Sequence, residues 1–251
     1  MSLAVIAGSG LGGLAEAMAA RRVIPFATLD GVGECTVAGH AGEIRVGDIE
    51  GRSCLLVLGR RHVYEGDPYR VERLIEHLAA EGASALLVTS AAGSLRRALR
   101  AGELVVVRDL IDRQNCAVVA SRRGLVGCRA RGSPPSRLRV DPVLTAGLER
   151  AALAAGVPCQ PGTLVCGSGP PYETVAEVGS LQVAGGDVAT MSAAPEVAAA
   201  NRLGLPVAVL AVVTNPCTGV EASAPSHREV LEAGARASHA LAGLIRQFIC
   251  L

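Results

Sequence analysis

Residues 163–215 read TLVCGSGPPYETVAEVGSLQVAGGDVATMSAAPEVAAANRLGLPVAVLAVVTN, and three pieces of this stretch organise the rest of the chain. GPPYET sets Tyr172 and Glu173 where a glycine/proline turn gives way to a helix, expected over Glu173–Ala184 and stopped by Gly185-Gly186. ATMSAAPE ends a short strand, Asp187–Met191, and opens a second helix, with Ser192 as its expected cap and Pro195 and Glu196 in its first turn. AVLAVVTN is a continuous apolar strand, Val207–Thr214, carrying the polar Asn215 at its tip. Strands alternating with helices imply an α/β fold. A turn, a strand end and a strand tip can converge, and here they would bring a carboxylate, an amide and hydroxyls together. That set suits a neutral, hydrogen-bonding heterocycle better than a metal or a nucleic acid.

Composition sets the bounds. The chain has 251 residues, half of them apolar, with no Trp and a formal net charge of +1. The core must therefore be built from Ala, Val and Leu, and no charge excess calls for nucleic acid or an acidic partner. The first residues, MSLAVIAGSGLGG, have no basic region before the apolar run and are interrupted by glycine, so no signal peptide is expected. No uncharged apolar run reaches membrane-spanning length, so no membrane partner is expected. The eight cysteines show neither CxxC nor metal spacing, and buried reduced thiols in a cytoplasmic protein are the expectation.

Upstream, Leu3–Ala7 reads as a buried strand leading into GSGLGG and a helix over Leu14–Ala20. Gly8, Gly10 and Gly13 match GxGxxG, with Asp30 further on as a ribose-binding acid, while Ser9 adds a hydroxyl that a phosphate would use. Taken alone, the motif leaves phosphate binding, dinucleotide binding and a purely structural turn open. Glu43–Val46 and Ser53–Leu58 read as meander strands. They lead to GRRHVYEG, a loop after a buried strand that carries Arg60, Arg61, His62, Tyr64 and Glu65. A helix over Arg73–Glu81 and a strand over Ala85–Thr89 follow, then SAAGSL, Ser90–Leu95, as a small-residue turn at a strand end. Glu103–Arg108 is a further strand. The segment from Gln114 to Asp141 reads as a long surface loop, Pro142–Ala155 as a helix and His227–Gln247 as the closing helix.

Taken in order, GSGLGG, GRRHVYEG, SAAGSL, GPPYETVAE, ATMSAAPE, VVTN and HREVLEAG resemble the trimeric purine nucleoside phosphorylase and methylthioadenosine phosphorylase family. The resemblance covers most of the chain. It implies a single domain spanning the chain, built on a mixed, partly barrel-like central sheet flanked by helices. It also implies a homotrimer with no cofactor beyond inorganic phosphate as co-substrate. Ser9, Arg60, His62, the Ala91 backbone and the Ser192 hydroxyl would hold phosphate. Tyr64, the Met191 backbone and His227 would meet the ribose. Tyr172, Glu173, Asn215, Ala92 and Gly93 would meet the base, and Asn215, Glu173 and His62 would carry the catalysis.

The residue types fit such chemistry. Phosphorolysis of an N-glycoside passes through an oxocarbenium-like sugar and needs no protein nucleophile, because phosphate attacks. The pairing of Glu173 with Asn215 goes with 6-oxopurines in the family, so inosine and guanosine are the expected substrates. Three features depart from the branch: Ser90 stands where Asn is common, Leu164 where Tyr is common, and residues 114–141 are short and hold no aromatic. Asn215-Pro216 resembles enzymes that take 5′-methylthioinosine, so methylthio nucleosides are an alternative, whereas His227 favours a 5′-hydroxyl. A purine-binding homologue without turnover is a further alternative, and so is an oxidoreductase resting on GxGxxG.

Overall fold

The computed structural model describes residues 2–8, 12–35, 41–67, 69–115, 137–221 and 227–251. Among the described residues, the apolar runs pair into one mixed sheet of nine strands: β1 (Leu3–Ala7), β2 (Ala19–Pro25), β3 (Glu43–Ile49), β4 (Arg52–Leu58), β5 (Ala85–Ser94), β6 (Leu104–Asp112), β7 (Cys159–Cys166), β8 (Val188–Thr190) and β9 (Val207–Pro216). The order is β2-β3-β4-β1-β5-β8-β7-β6-β9, and β9 pairs back onto β5. Strands β5 to β9 thus close a ring, while β1 to β4 extend from it as an open sheet. A strand inside such a ring is buried on both faces, which explains why β9 is an unbroken apolar run rather than an alternating one.

Helices cover the sheet: α1 (Gly12–Glu16), α2 (Tyr69–Ala80), α3 (Pro142–Ala154), α4 (Val175–Val183), α5 (Ala194–Leu203) and α6 (His227–Cys250). One apolar cluster gathers Ile6, Leu74, Leu78, Val88, Val197 and Val209, under α2 and α5. A second gathers Leu87, Leu148, Leu210, Leu241 and Leu244, under α3 and α6.

Parallel pairing of β1 with β4 and β5, and of β5 with β9, puts four strand ends on one edge. The residues after those ends face the same space. This single topological fact assembles the site from segments far apart in the chain.

The structure corrects several expectations. Ser90–Ser94 is not a turn: β5 runs through it, because β9 supplies a ladder partner along the whole strand and β8 pairs with Gly93 and Ser94. The first helix ends at Glu16, because Ala19 and Ala20 are already paired with β3. The strand that follows GSGLGG is antiparallel to β3 and no neighbour of β1, so the parallel βαβ unit required by a dinucleotide fingerprint is not formed. Asp30 sits instead in a turn, where its carbonyl meets His77 Nε2 at 3.0 Å.

Helix α4 starts two residues late. Thr174 caps it, exchanging bonds with Glu177 in a reciprocal capping box. Ser192 does not cap α5: Ala193 holds that place at φ 74°, and no side chain bonds to the helix end. Gln114 is buried rather than at a loop surface. Leu138, near the other end of that expected segment, is also buried, while residues 116–136 lie outside the described residues, as do Ser9 and His40. Of the described cysteines, Cys54, Cys166 and Cys217 are buried, Cys35 and Cys159 are partly covered and Cys250 is exposed.

Candidate active site

Arg60 follows β4 at the shared edge and is only 2% exposed. Its Nη1 donates to Glu196 Oε1 at 3.2 Å, its Nη2 to the Ile6 carbonyl at 3.5 Å, and Nη2 also donates to the Thr89 carbonyl. One guanidinium thus ties β1, β5 and α5 together. Burial pushes its pKa below the usual value, and the facing Glu196 carboxylate opposes that. Gly8 lies directly over it: a Cβ at that position would sit 3.5 Å from Nη2 and 3.2 Å from the Thr89 carbonyl. Thr89 Oγ1 accepts the Gly8 amide at 3.0 Å and donates to the Ile6 carbonyl at 2.9 Å. Gly8, at the end of β1, is therefore laid against Arg60.

Beside this pair sits a cluster of three buried hydroxyls. Ser90 Oγ lies 2.7 Å from Thr190 Oγ1 and 2.8 Å from Ser192 Oγ. The Ala91 carbonyl accepts from Thr190 Oγ1 at 2.9 Å. Ser192 is thus held by hydroxyls instead of by the helix it precedes. A cluster rich in O–H donors beside a buried cation suits a polyoxygen anion.

His62, Tyr64 and Glu65 form the next layer. Glu65 Oε1 accepts the His62 amide at 2.7 Å and lies 3.0 Å from Nδ1, which sets the ring's orientation. The His62 and Tyr64 rings stack with centroids 5.0 Å apart. Burial raises the Tyr64 phenol pKa, and Glu65 and Tyr172 add to that, which places Tyr172 nearby. Both tyrosines stand at the rim, 36% and 40% exposed. Gly169, at φ +64°, lets the GPPYET turn come down here: a Cβ there would lie 2.6 Å from Met191 Sδ and 3.0 Å from Tyr64 Cδ1.

At the far end of β5, Asn215 is buried, paired in register with Gly93. Thr214 Oγ1 donates to Asn215 Oδ1 at 2.8 Å, and Asn215 Nδ2 donates to the Pro216 carbonyl at 2.9 Å. The amide is thereby oriented, its oxygen anchored and its nitrogen keeping one further N–H to offer. A Cβ on Gly93 would lie 3.5 Å from Asn215 Nδ2 and 2.7 Å from Cys217 Sγ. The same probe on Gly167 would meet Glu173 Oε1 at 3.2 Å. Burial and then the Glu173 carboxylate push the Cys217 thiol up to about 12.

The structure therefore brings together Arg60, His62, Tyr64, Ala91, Ala92, Gly93, Tyr172, Glu173, Met191, Ser192 and Asn215. Ser9 lies outside the described residues, and of His227 only its place at the start of α6 is described. Sequence reasoning missed the partners that hold this set: Thr89, Thr190, Cys217, Gln114 and the pairing of Glu196 with Arg60. Glu196 carried a signal, an acid in the first turn of an otherwise apolar helix, but nothing local named its partner.

Comparison with known proteins identifies the family and the fold. Residues 2–249 match the family model described as the phosphorylase superfamily. Purine nucleoside phosphorylase 1 of Bacillus subtilis is 33% identical over 234 residues, 92% of this chain and 84% of its own length. The purine nucleoside phosphorylase of Bos taurus is 34% identical over 269 residues, 99% of this chain and 87% of its own. Among solved structures, Schistosoma mansoni purine nucleoside phosphorylase in complex with adenosine superposes with a TM-score of 0.87 at 30% identity, covering 99% of this chain and 90% of that one. A structure of the Schistosoma enzyme with guanosine superposes at 0.83 and 28% identity, covering 99% and 89%. Fold, strand-edge site and family matches converge: the chain belongs to the purine nucleoside phosphorylase family of the phosphorylase superfamily, and it is a pentosyltransferase enzyme.

Proposed function

We propose that the enzyme cleaves 6-oxopurine nucleosides, inosine and guanosine, with inorganic phosphate, releasing the free base and ribose 1-phosphate. One observation carries the reading. Strand β5 bears the hydroxyl cluster at Ser90 and the base-facing glycine at Gly93, only three residues on. At the rise of an extended chain that spacing is about 10 Å, enough for a sugar between an anion and a heterocycle.

Phosphate is taken by Ser9, His62, the Ala91 backbone and Ser192, with Arg60 supplying buried positive charge beneath the loop. Tyr64, Met191 and His227 meet the ribose. Tyr172 and the backbone of Ala92 and Gly93 flank the base. Asn215 Nδ2 donates to the purine as negative charge grows on it, and Glu173 accepts from N1–H. Phosphate, aligned under the anomeric carbon, attacks as the base leaves, so the enzyme's work is positioning and charge stabilisation. A base lacking N1–H leaves Glu173 without its donor, which supports the 6-oxo preference. No cofactor is required, and a homotrimer is part of the proposal.

The test is hypoxanthine release from inosine with and without phosphate. Release that proceeds equally without phosphate sinks the reading. A panel of inosine, guanosine, adenosine, methylthioadenosine and methylthioinosine reads the base and 5′ preferences, and a preference for 6-amino bases overturns the assignment of Glu173 and Asn215.

A further inference from the structure

We propose that Gln114 is a positioning residue that sets the spacing between the base subsite and the sugar subsite; this rests on the purine phosphorolysis reading above. Gln114 lies just past β6 and is 6% exposed. Its Nε2 donates to the Gly167 carbonyl at 2.6 Å and to the Met191 carbonyl at 3.0 Å. Those carbonyls belong to separate segments. Gly167 opens the loop that leads to Glu173, whose carboxylate lies against it. Met191 follows β8 and precedes Ser192. One backbone bond, Gly167 N–H to the Thr190 carbonyl at 2.7 Å, already joins the two segments. Gln114 adds a second joint from a third segment.

The clamp is itself held. The Gln114 backbone N–H donates to Asp112 Oδ1 at 3.0 Å, and the Arg113 backbone N–H donates to the Cys166 carbonyl at 3.0 Å. A primary amide is the side chain that gives two N–H donors from one atom without charge. An apolar side chain of the same bulk leaves two carbonyls short of a donor, and a carboxylate sets oxygen against oxygen. Bond cleavage separates a base held at Glu173 from a sugar held at Met191, so the distance between those segments enters the barrier directly. The anion end has its own ties: Ser192 to the Ser90 and Thr190 hydroxyls, and Arg60 to Glu196.

The test uses Q114L and Q114E beside the wild-type enzyme. The expected result is a drop of about 10- to 100-fold in kcat/KM for inosine, with the phosphate KM within about twofold of wild type. Hydrogen exchange in residues 167–173 and 190–192 should quicken in both variants. A kcat/KM within twofold of wild type overturns the proposal, as does a loss matched by an equal rise in phosphate KM. If neither variant folds, the wild-type Gln114 side-chain amide decides: Nε2 protons protected from solvent exchange support the clamp, and exchange at the rate of a free glutamine amide overturns it. A wild-type enzyme inactive on inosine sinks the functional reading alone, because the exchange measurement judges the clamp separately.

Discussion

At the end of the site where Arg60 lies, side chains are buried and bonded to one another; at the end where Tyr172 and Glu173 lie, they come from a turn at the surface. Arg60 and Glu196 are 2% and 1% exposed, and the Ser90, Thr190 and Ser192 hydroxyls are packed beside them. Tyr64 and Tyr172 are more than a third exposed. The anion end is a by-product of folding: it exists only once β1, β4, β5 and α5 have met. The base end is a turn, GPPYET, laid across a strand tip. Substitutions at the first should therefore damage stability and activity together, and substitutions at the second should alter substrate preference.

The largest expected effect is that of Arg60→Met. It leaves the Glu196 carboxylate buried without its cation, a loss of roughly 3–5 kcal/mol by urea denaturation. The double variant R60M/E196Q should recover part of it. An R60M protein as stable as wild type would break the comparison. Next is Asn215→Asp, which removes the donor toward the base. Activity on inosine should fall by about a hundredfold or more, while the ratio of adenosine to inosine turnover rises. An unchanged ratio means the base end has been misplaced.

Smaller again is Ser192→Ala. It removes one hydrogen-bonding hydroxyl, about 1 kcal/mol, and should raise the phosphate KM about fivefold while leaving the inosine KM in place. Equal effects on both would erase the division between the ends.

The smallest is a pH effect that samples both ends. Burial raises the Cys35 thiol, beside the Arg60 carbonyl, to about 11, and burial with Glu173 raises Cys217 to about 12. Their ordinary value is 9.0, so the unfolded chain loses these protons first. Stability is then fully present below pH 9 and falls as pH rises toward 11 to 12. Cys217→Ala should flatten that fall at the base end, as measured by urea midpoints from pH 8 upward, and Cys35→Ala at the anion end. A slope that neither variant changes removes the thiols from the account.

Much of the fold was legible. Continuous apolar runs such as VAVLAVV mark buried strands, and Gly185, at positive φ, follows a helix end as expected. The sequence also singled out Glu173, Asn215, Ser192 and Arg60 as site candidates. What misled was local: SAAGSL reads as a turn by residue type, yet tertiary pairing keeps it in β5. Ser192 reads as a cap, yet two hydroxyls from other strands claim it. Gln114 sits in a stretch with no periodicity, and nothing in it announces two carbonyl acceptors on other segments.

The sequence by itself determined which segments become strands and helices, because apolar period, glycine and capping residues act within a few positions. It also supplied the chemical groups of the candidate site: carboxylates, an amide, an imidazole, hydroxyls and a guanidinium. Only the tertiary structure decided how that kit is held. Closing β9 onto β5 is a long-range event, as is setting Arg60 against Glu196, 136 residues away. A buried charge or donor takes whichever partner the fold delivers to it, and that partner carries no mark in the local sequence.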